Sequence, residues 1–145
     1  MEARVITSQN TFDKVLELLR ENKLPAEDIR LSIGLFISYH DDAGKIVGAG
    51  GLEFYSGYAL LRSVVVDASM RGQSIGKDIV NDLLSRANQT STRAVYLLTE
   101  TAHDFFVKLG FSDIERDAVP SEVKVSTEFS TVCPLSASVM IYRIR

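Results

Sequence analysis

Residues 62–77, Arg-Ser-Val-Val-Val-Asp-Ala-Ser-Met-Arg-Gly-Gln-Ser-Ile-Gly-Lys, constrain this chain more than any other stretch. A β-branched apolar run ends at Asp67, and a short loop follows, Arg71-Gly72-Gln73-Ser74-Ile75-Gly76-Lys77. Beyond it Ile79, Val80, Leu83, Leu84 and Ala87 recur at helical spacing. The pattern predicts a strand feeding a small-residue loop that opens a helix. The first N–H groups of a helix have no intrahelical acceptor, and the helix dipole adds positive potential there. The natural ligand of such a place is an anion, most simply a phosphate or pyrophosphate. Arg71 and Lys77 bracket the loop and add charge. The same residues also suit a plain tight turn with a helix cap, and on their chemistry alone the two readings are level. The Walker spacing and the dinucleotide Gly-x-Gly-x-x-Gly are both absent.

The rest of the chain restricts the choice of class. A length of 145 residues suits one domain, 1–145, with a single core. The net charge is −3 with acidic and basic residues interspersed, so neither a nucleic-acid patch nor a polybasic membrane segment is expected. No apolar run approaches the ~18 residues of a membrane span, and no signal pattern opens the chain. The lone cysteine, Cys133, has no disulfide partner within the chain. It fits a reducing compartment, and a cytoplasmic location is the expectation. A buried structural thiol is the default reading of Cys133.

Periodicity and turn chemistry set the order of elements. A first strand is expected over 4–7, then a helix capped by Ser8 or Thr11 and running to Asn22 with Phe12, Val15, Leu16, Leu18 and Leu19 on its apolar face. Pro25 suits the first turn of a second short helix reaching Ile33. Strands over 35–39 and 46–55 flank the hairpin chemistry Asp41-Asp42-Ala43-Gly44. A turn at Gly57-Tyr58 leads to the strand 59–66. A buried strand over 95–99, a short helix at 120–125 and a last strand over 139–144 complete the reading, with Pro134 breaking the irregular segment between. A meander followed by strand–helix units predicts an α/β mixed sheet with helices on both faces. Gly48, Gly50 and Gly51 within a strand mark either close packing or room for a ligand, packing being the commoner cause.

Two landmarks then resemble one family. Arg71-x-x-Ser74-x-Gly76 is similar to the Gln/Arg-x-x-Gly-x-Gly/Ala motif of the GCN5-related N-acetyltransferases (GNAT). Residues 102–111, Ala-His-Asp-Phe-Phe-Val-Lys-Leu-Gly-Phe, resemble that family's A-x-x-F-Y/F-x-x-x-G-F helix and turn. The resemblance implies a mostly antiparallel sheet with one splayed parallel pair, acetyl-CoA as co-substrate, no metal, and transfer of an acetyl group to an amine. It places main-chain contacts for the cofactor at Val64, Val65 and Val66, and phosphate contacts at Arg71, Gly72, Gln73, Ser74, Ile75, Gly76 and Lys77. Two further cofactor positions fall on Thr99, where the family often has Asn, and on Phe106, where it often has the Tyr that protonates the leaving thiolate. Ser74 departs from the motif's Gly and suits the loop provided its φ stays negative.

For the acceptor side the residues offer Glu53 as general base, against a plain exposed carboxylate, and Arg62 as a clamp for an acidic group, against an edge salt bridge. His103 and His40 read as solvent-facing. Phe105 and Phe111 read as core. Further stretches are similar to the arsenic-resistance-type branch of the family: Leu60-Leu61-Arg62-Ser63-Val64, Leu98-Thr99-Glu100-Thr101-Ala102, Ser126-Thr127-Glu128-Phe129 and Cys133-Pro134-x-Ser136-Ala137. That resemblance implies a small amine acceptor such as an amino acid or analogue. The rivals are a catalytically weak CoA-binding sensor and a protein or peptide N-acetyltransferase. A homodimer is compatible with all three.

Overall fold

Ser8 stands in extended conformation and its hydroxyl accepts from the Thr11 N–H, so the first helix, α1 (Gln9–Glu21), begins at the residue whose side chain can cap it. The computed structural model describes residues 1–26, 29, 34–126, 129 and 136–144. Before α1 runs β1 (Glu2–Val5). After it come β2 (Gly34–His40), β3 (Ile46–Tyr55), β4 (Tyr58–Val66), α2 (Ile75–Asn88), β5 (Ala94–Thr99), α3 (His103–Lys108), β6 (Ser112–Asp113), α4 (Ser121–Lys124) and β7 (Ser138–Arg143). Among the described residues the strands form one sheet in the order β1-β2-β3-β4-β5-β7-β6. Every neighbouring pair is antiparallel except β4 and β5. This is the mixed α/β sheet expected, with helices on both faces.

Each face has its own packing. On one, Ile75, Ile79, Val80, Leu83 and Ala87 of α2 close over Val47, Leu52, Leu61, Val95 and Leu97. On the other, Phe12, Val15 and Leu19 of α1 cover Phe36, Ala49 and Val65. Further along that second face Val119, Val123 and Phe129 cover Leu60, Tyr96, Val139 and Ile141. The strand glycines serve this packing. A Cβ on Gly48 or Gly50 would lie 2.8 Å from Ile79, and one on Gly51 would lie 2.1 Å from the Phe36 ring. The space is filled by neighbours, and the reading of these glycines as room for a ligand is set aside.

Several boundaries differ from the sequence reading. The first strand is Glu2–Val5 rather than 4–7, because Ile6 turns inward to join the α1 cluster. The hairpin after β3 turns at Ser56 and Gly57, both at positive φ, and Tyr58 already pairs with Tyr55. Two positive-φ residues suit the twist of the strands they join. α3 starts at His103, and the two-residue β6 had no signal of its own. α4 spans Ser121–Lys124 with Pro120 as its cap. His40 is buried, not solvated; its Nε2 lies 2.8 Å from the Ser38 hydroxyl and its Nδ1 3.3 Å from the Gly44 carbonyl. Cys133, Pro134 and most of the expected helix over 25–33 lie outside the described residues.

Candidate active site

The site begins with a fault in the sheet. β4 pairs with β5 only at Tyr58, Ala59 and Leu60. Past Leu60 the two strands part, while β4 stays bonded to β3 through Val66. Within that stretch the β3 register steps from Ala49–Val65 to Gly51–Arg62, so β4 carries an extra residue. Ser63 takes up the bulge at φ 61, a left-handed conformation that costs a non-glycine residue about 1–2 kcal/mol. The bulge resets the alternation: Leu61 and Val64 both face α2, and Val65 faces α1. The backbone of Val64, Val65 and Val66 therefore borders a gap on its β5 side.

The loop follows directly. Asp67 caps a 3₁₀ turn at Ala68–Met70, accepting from the Ser69 N–H, and that bond is the main cause of its lowered pKa. Gly72 stands at φ 85 and Ser74 at φ 64. Ser74 is thus left-handed, contrary to the expectation of negative φ, and its side chain makes no cap bond. The first intrahelical bond of α2 runs from Asp78 N–H to Ser74 C=O at 3.0 Å. The N–H groups of Ile75, Gly76 and Lys77 precede it and have no acceptor within the helix. Arg71, Gly72, Gln73, Ser74 and Lys77 are exposed beside them. The Arg71 guanidinium donates to Asn22 Oδ1, while Asn22 Nδ2 donates to Leu18 C=O, so the α1 end holds Arg71 at the loop.

α3 borders the gap from the far side. The Thr99 hydroxyl accepts from Ala102 N–H at 3.0 Å and shapes the turn into that helix. Phe106 is 8% exposed and packs edge-on against Phe105 and Phe111, with centroids 5.0 and 5.5 Å away. Phe105, expected in the core, is 37% exposed, and its ring approaches Gly76 at the head of α2. The open aromatic beside the loop is Phe105; Phe106 belongs to the packed layer. His103 bonds Asp113 on β6 at 2.9 Å and Asp104 at 3.2 Å, and those hydrogen bonds raise its pKa.

The second part of the site lies on the α1 side of the sheet. Glu53 is 2% exposed and Arg62 3%, so neither is the exposed carboxylate nor the edge cation that the sequence allowed. Arg62 Nη1 meets Glu53 Oε2 at 3.4 Å. The Tyr55 hydroxyl donates to Glu53 Oε1 at 2.8 Å, and Arg62 Nε donates to the Ser63 hydroxyl at 3.1 Å. These four side chains form a polar chain between the apolar cluster under α1 and the one under α4. A buried charge pair survives only with such added hydrogen bonds, since desolvation otherwise outweighs its attraction. Tyr55 was not singled out from the sequence. Tyr55 lies two residues beyond Glu53 on the same strand face, and that spacing is the signal that could have found it.

A splayed parallel pair, a bulge at its mouth and an unbonded helix start directly after it define a class of fold. A sequence model described as an acetyltransferase (GNAT) domain matches residues 32–113. The chain belongs to the GNAT acetyltransferase family. It is similar to the amino-acid acetyltransferase of Mycobacterium tuberculosis, 40% identical over 91 residues, 61% of this chain and 51% of that protein. The chain thus spans about half the length of that curated relative. The structure of Rv2747 from Mycobacterium tuberculosis, in complex with CoA and a second ligand, is similar over 100% of both chains, with TM-score 0.81 and 27% identity. N-acetylglutamate synthase from Neisseria gonorrhoeae, with coenzyme A and N-acetyl-glutamate, shares the fold over 99% of this chain and 35% of its own, with TM-score 0.80 and 14% identity.

Proposed function

We propose that residues 1–145 form one N-acetyltransferase domain that moves the acetyl group of acetyl-CoA to the amine of a small acceptor, an amino acid or an analogue. One observation carries the reading: the backbone of β4 opens beside β5 and runs straight into an α2 start whose first N–H groups lack helical acceptors. The residues fit the co-substrate. Ile75, Gly76 and Lys77 offer N–H donors to a pyrophosphate, with Gly72, Gln73 and Ser74 as the exposed approach and Arg71 and Lys77 as countercharge. Val64, Val65 and Val66 present main chain to the extended arm, with Val64 next to the thioester. Thr99 and Phe106 stand at the two family positions on the far side.

In the reaction the amine nitrogen attacks the thioester carbon, the C–S bond breaks, and an amide and free CoA result. The ammonium must first lose a proton, and Glu53 is the carboxylate assigned to take it. Arg62 orients an acidic group of the acceptor. An α-amino acid carries one charge of each sign and complements a buried pair that does the same, whereas an acceptor with one net charge would leave an uncompensated ion. The similarity to a named amino-acid acetyltransferase points the same way. Phe106 carries no hydroxyl, so this reading assigns no side-chain acid to the leaving thiolate; acetyl transfer here relies on orientation and electrostatics.

The experiment has two stages. Thermal unfolding with saturating acetyl-CoA should rise relative to the free chain, because a ligand that prefers the native state stabilises it by mass action. Thiol release is then followed with amino acids, simple amines and N-terminal peptides as acceptors. Turnover is expected for amino acids above simple amines. No thermal shift would sink the family's cofactor role for this chain, and a shift without turnover on any acceptor would favour a CoA sensor. Preference for peptides would move the substrate class.

A further inference from the structure

Ser63 is the residue whose conformation the catalytic reading leaves unexplained. It is not glycine, yet it stands at φ 61 in the middle of β4. Its neighbour Val64 must face α2 for the strand to border the gap, and that phase exists only because residue 63 is absorbed in the bulge. A straightened β4 would shift Val64, Val65 and Val66 by one position and turn each to the other face. Something must therefore hold Ser63 in the left-handed region against its steric preference.

The holder is the side chain just before it. Arg62 Nε donates to the Ser63 hydroxyl at 3.1 Å. Arg62 cannot swing away, because its Nη1 lies 3.4 Å from Glu53 Oε2 and its side chain is fully buried. Glu53 is in turn fixed by the Tyr55 hydroxyl at 2.8 Å. Two of these residues lie on β3 and two on β4; Tyr55, Glu53 and Arg62 lie on the hairpin side of the register step and Ser63 within it. We infer that Ser63 is a positioning residue: its hydroxyl, gripped by Arg62, pins the β4 bulge and so sets the main chain of Val64–Val66 for the co-substrate. The inference rests on the acetyl-CoA reading above. It also joins the two halves of the site, since the side chain that grips Ser63 is the one assigned to the acceptor.

The idea makes a ranking that a direct contact would not. Glycine lacks the hydroxyl but enters the left-handed region freely, and Asn tolerates it better than Ala does. Ser63→Gly and Ser63→Asn should bind acetyl-CoA within roughly twofold of the wild type, and Ser63→Ala roughly tenfold more weakly, the order following left-handed tolerance. The readouts are acetyl-CoA dissociation constants from calorimetry and the split between KM for acetyl-CoA and kcat; a residue that merely supports the fold would lower Tm without moving that split. An equal loss in Ser63→Gly and Ser63→Ala would overturn the inference in favour of direct contact by the hydroxyl. Wild-type affinity in Ser63→Ala would overturn it as well. If Ser63→Ala does not fold, weakened binding in Ser63→Gly alone is enough to reject it. Failure of the wild type itself to bind acetyl-CoA would instead be failure of the underlying functional reading.

Discussion

The two halves of the site are made of different material. On the β5 side, the loop and the opening of α2 present backbone: N–H groups, left-handed turns and the exposed edge of β4. On the α1 side, Tyr55, Glu53, Arg62 and Ser63 present a chain of side-chain bonds between two apolar clusters, buried at Glu53 and Arg62 and half-buried at its two ends. A backbone cradle tolerates exchange of most side chains, provided the turn geometry survives. A buried charge pair tolerates almost no single exchange, because each member satisfies the other. Under the proposed function, the first half would hold a constant partner by its phosphates and the second would discriminate among acceptors, where an unpaired buried group is the penalty for a wrong fit.

The comparison breaks most readily at the buried pair. Arg62→Ala leaves Glu53 buried without its counter-ion and should destabilise the fold by about 3–5 kcal/mol, measured by urea unfolding. The double change Glu53→Leu with Arg62→Met removes both charges and should recover most of that stability. It should give a smaller thermal shift with acetyl-CoA than the wild type, because Ser63 has lost the hold of Arg62, and release no thiol with amino acids. An undiminished thermal shift in the double variant would mean that the halves are separable and that Ser63 needs no hold from Arg62.

The loop gives a smaller effect. Gly72 stands at φ 85 with open space where a Cβ would go, so Gly72→Ala meets only the backbone penalty. About 1 kcal/mol of stability should be lost, with weaker acetyl-CoA binding. Ser74→Gly works the other way: it relieves φ 64 and should raise stability by up to about 1 kcal/mol. A destabilised Ser74→Gly would show that the serine contributes something its missing cap bond conceals.

The smallest effect belongs to His103, outside both halves. Its hydrogen bonds to Asp113 and then Asp104 raise its pKa above the ordinary value. A raised native pKa means stability that is complete below the unfolded-state value, about 6.5, and is lost as pH rises through the native one. His103→Gln should flatten the Tm–pH curve over that interval and leave it unchanged at alkaline pH. The site is exposed and the change should be slight.

What was legible in the sequence followed from local physics. Ser8 capped α1, the apolar spacing from Ile79 to Ala87 made α2, and the stretch from Arg71 to Gly76 made the loop that opens it. In each case the cause lies within a few residues of its effect. Glu53 and Arg62 were visible as candidates, yet their burial and their pairing were not, because they lie nine positions apart on two strands joined by the Ser56–Gly57 turn. Phe105 and Phe106 carry the same ring, and the spacing could not say which would face the loop.

The sequence by itself determined the order of elements, the caps and the strand–loop–helix opening, since periodicity and turn chemistry act locally. The tertiary structure alone decided that β4 leaves β5 after Leu60, that Ser63 is bent left-handed, and that four polar side chains meet between two apolar clusters. Register, burial and ion pairing arise from strands that are distant in the chain and adjacent in the sheet. Their energies exist only once the desolvated neighbours are in place.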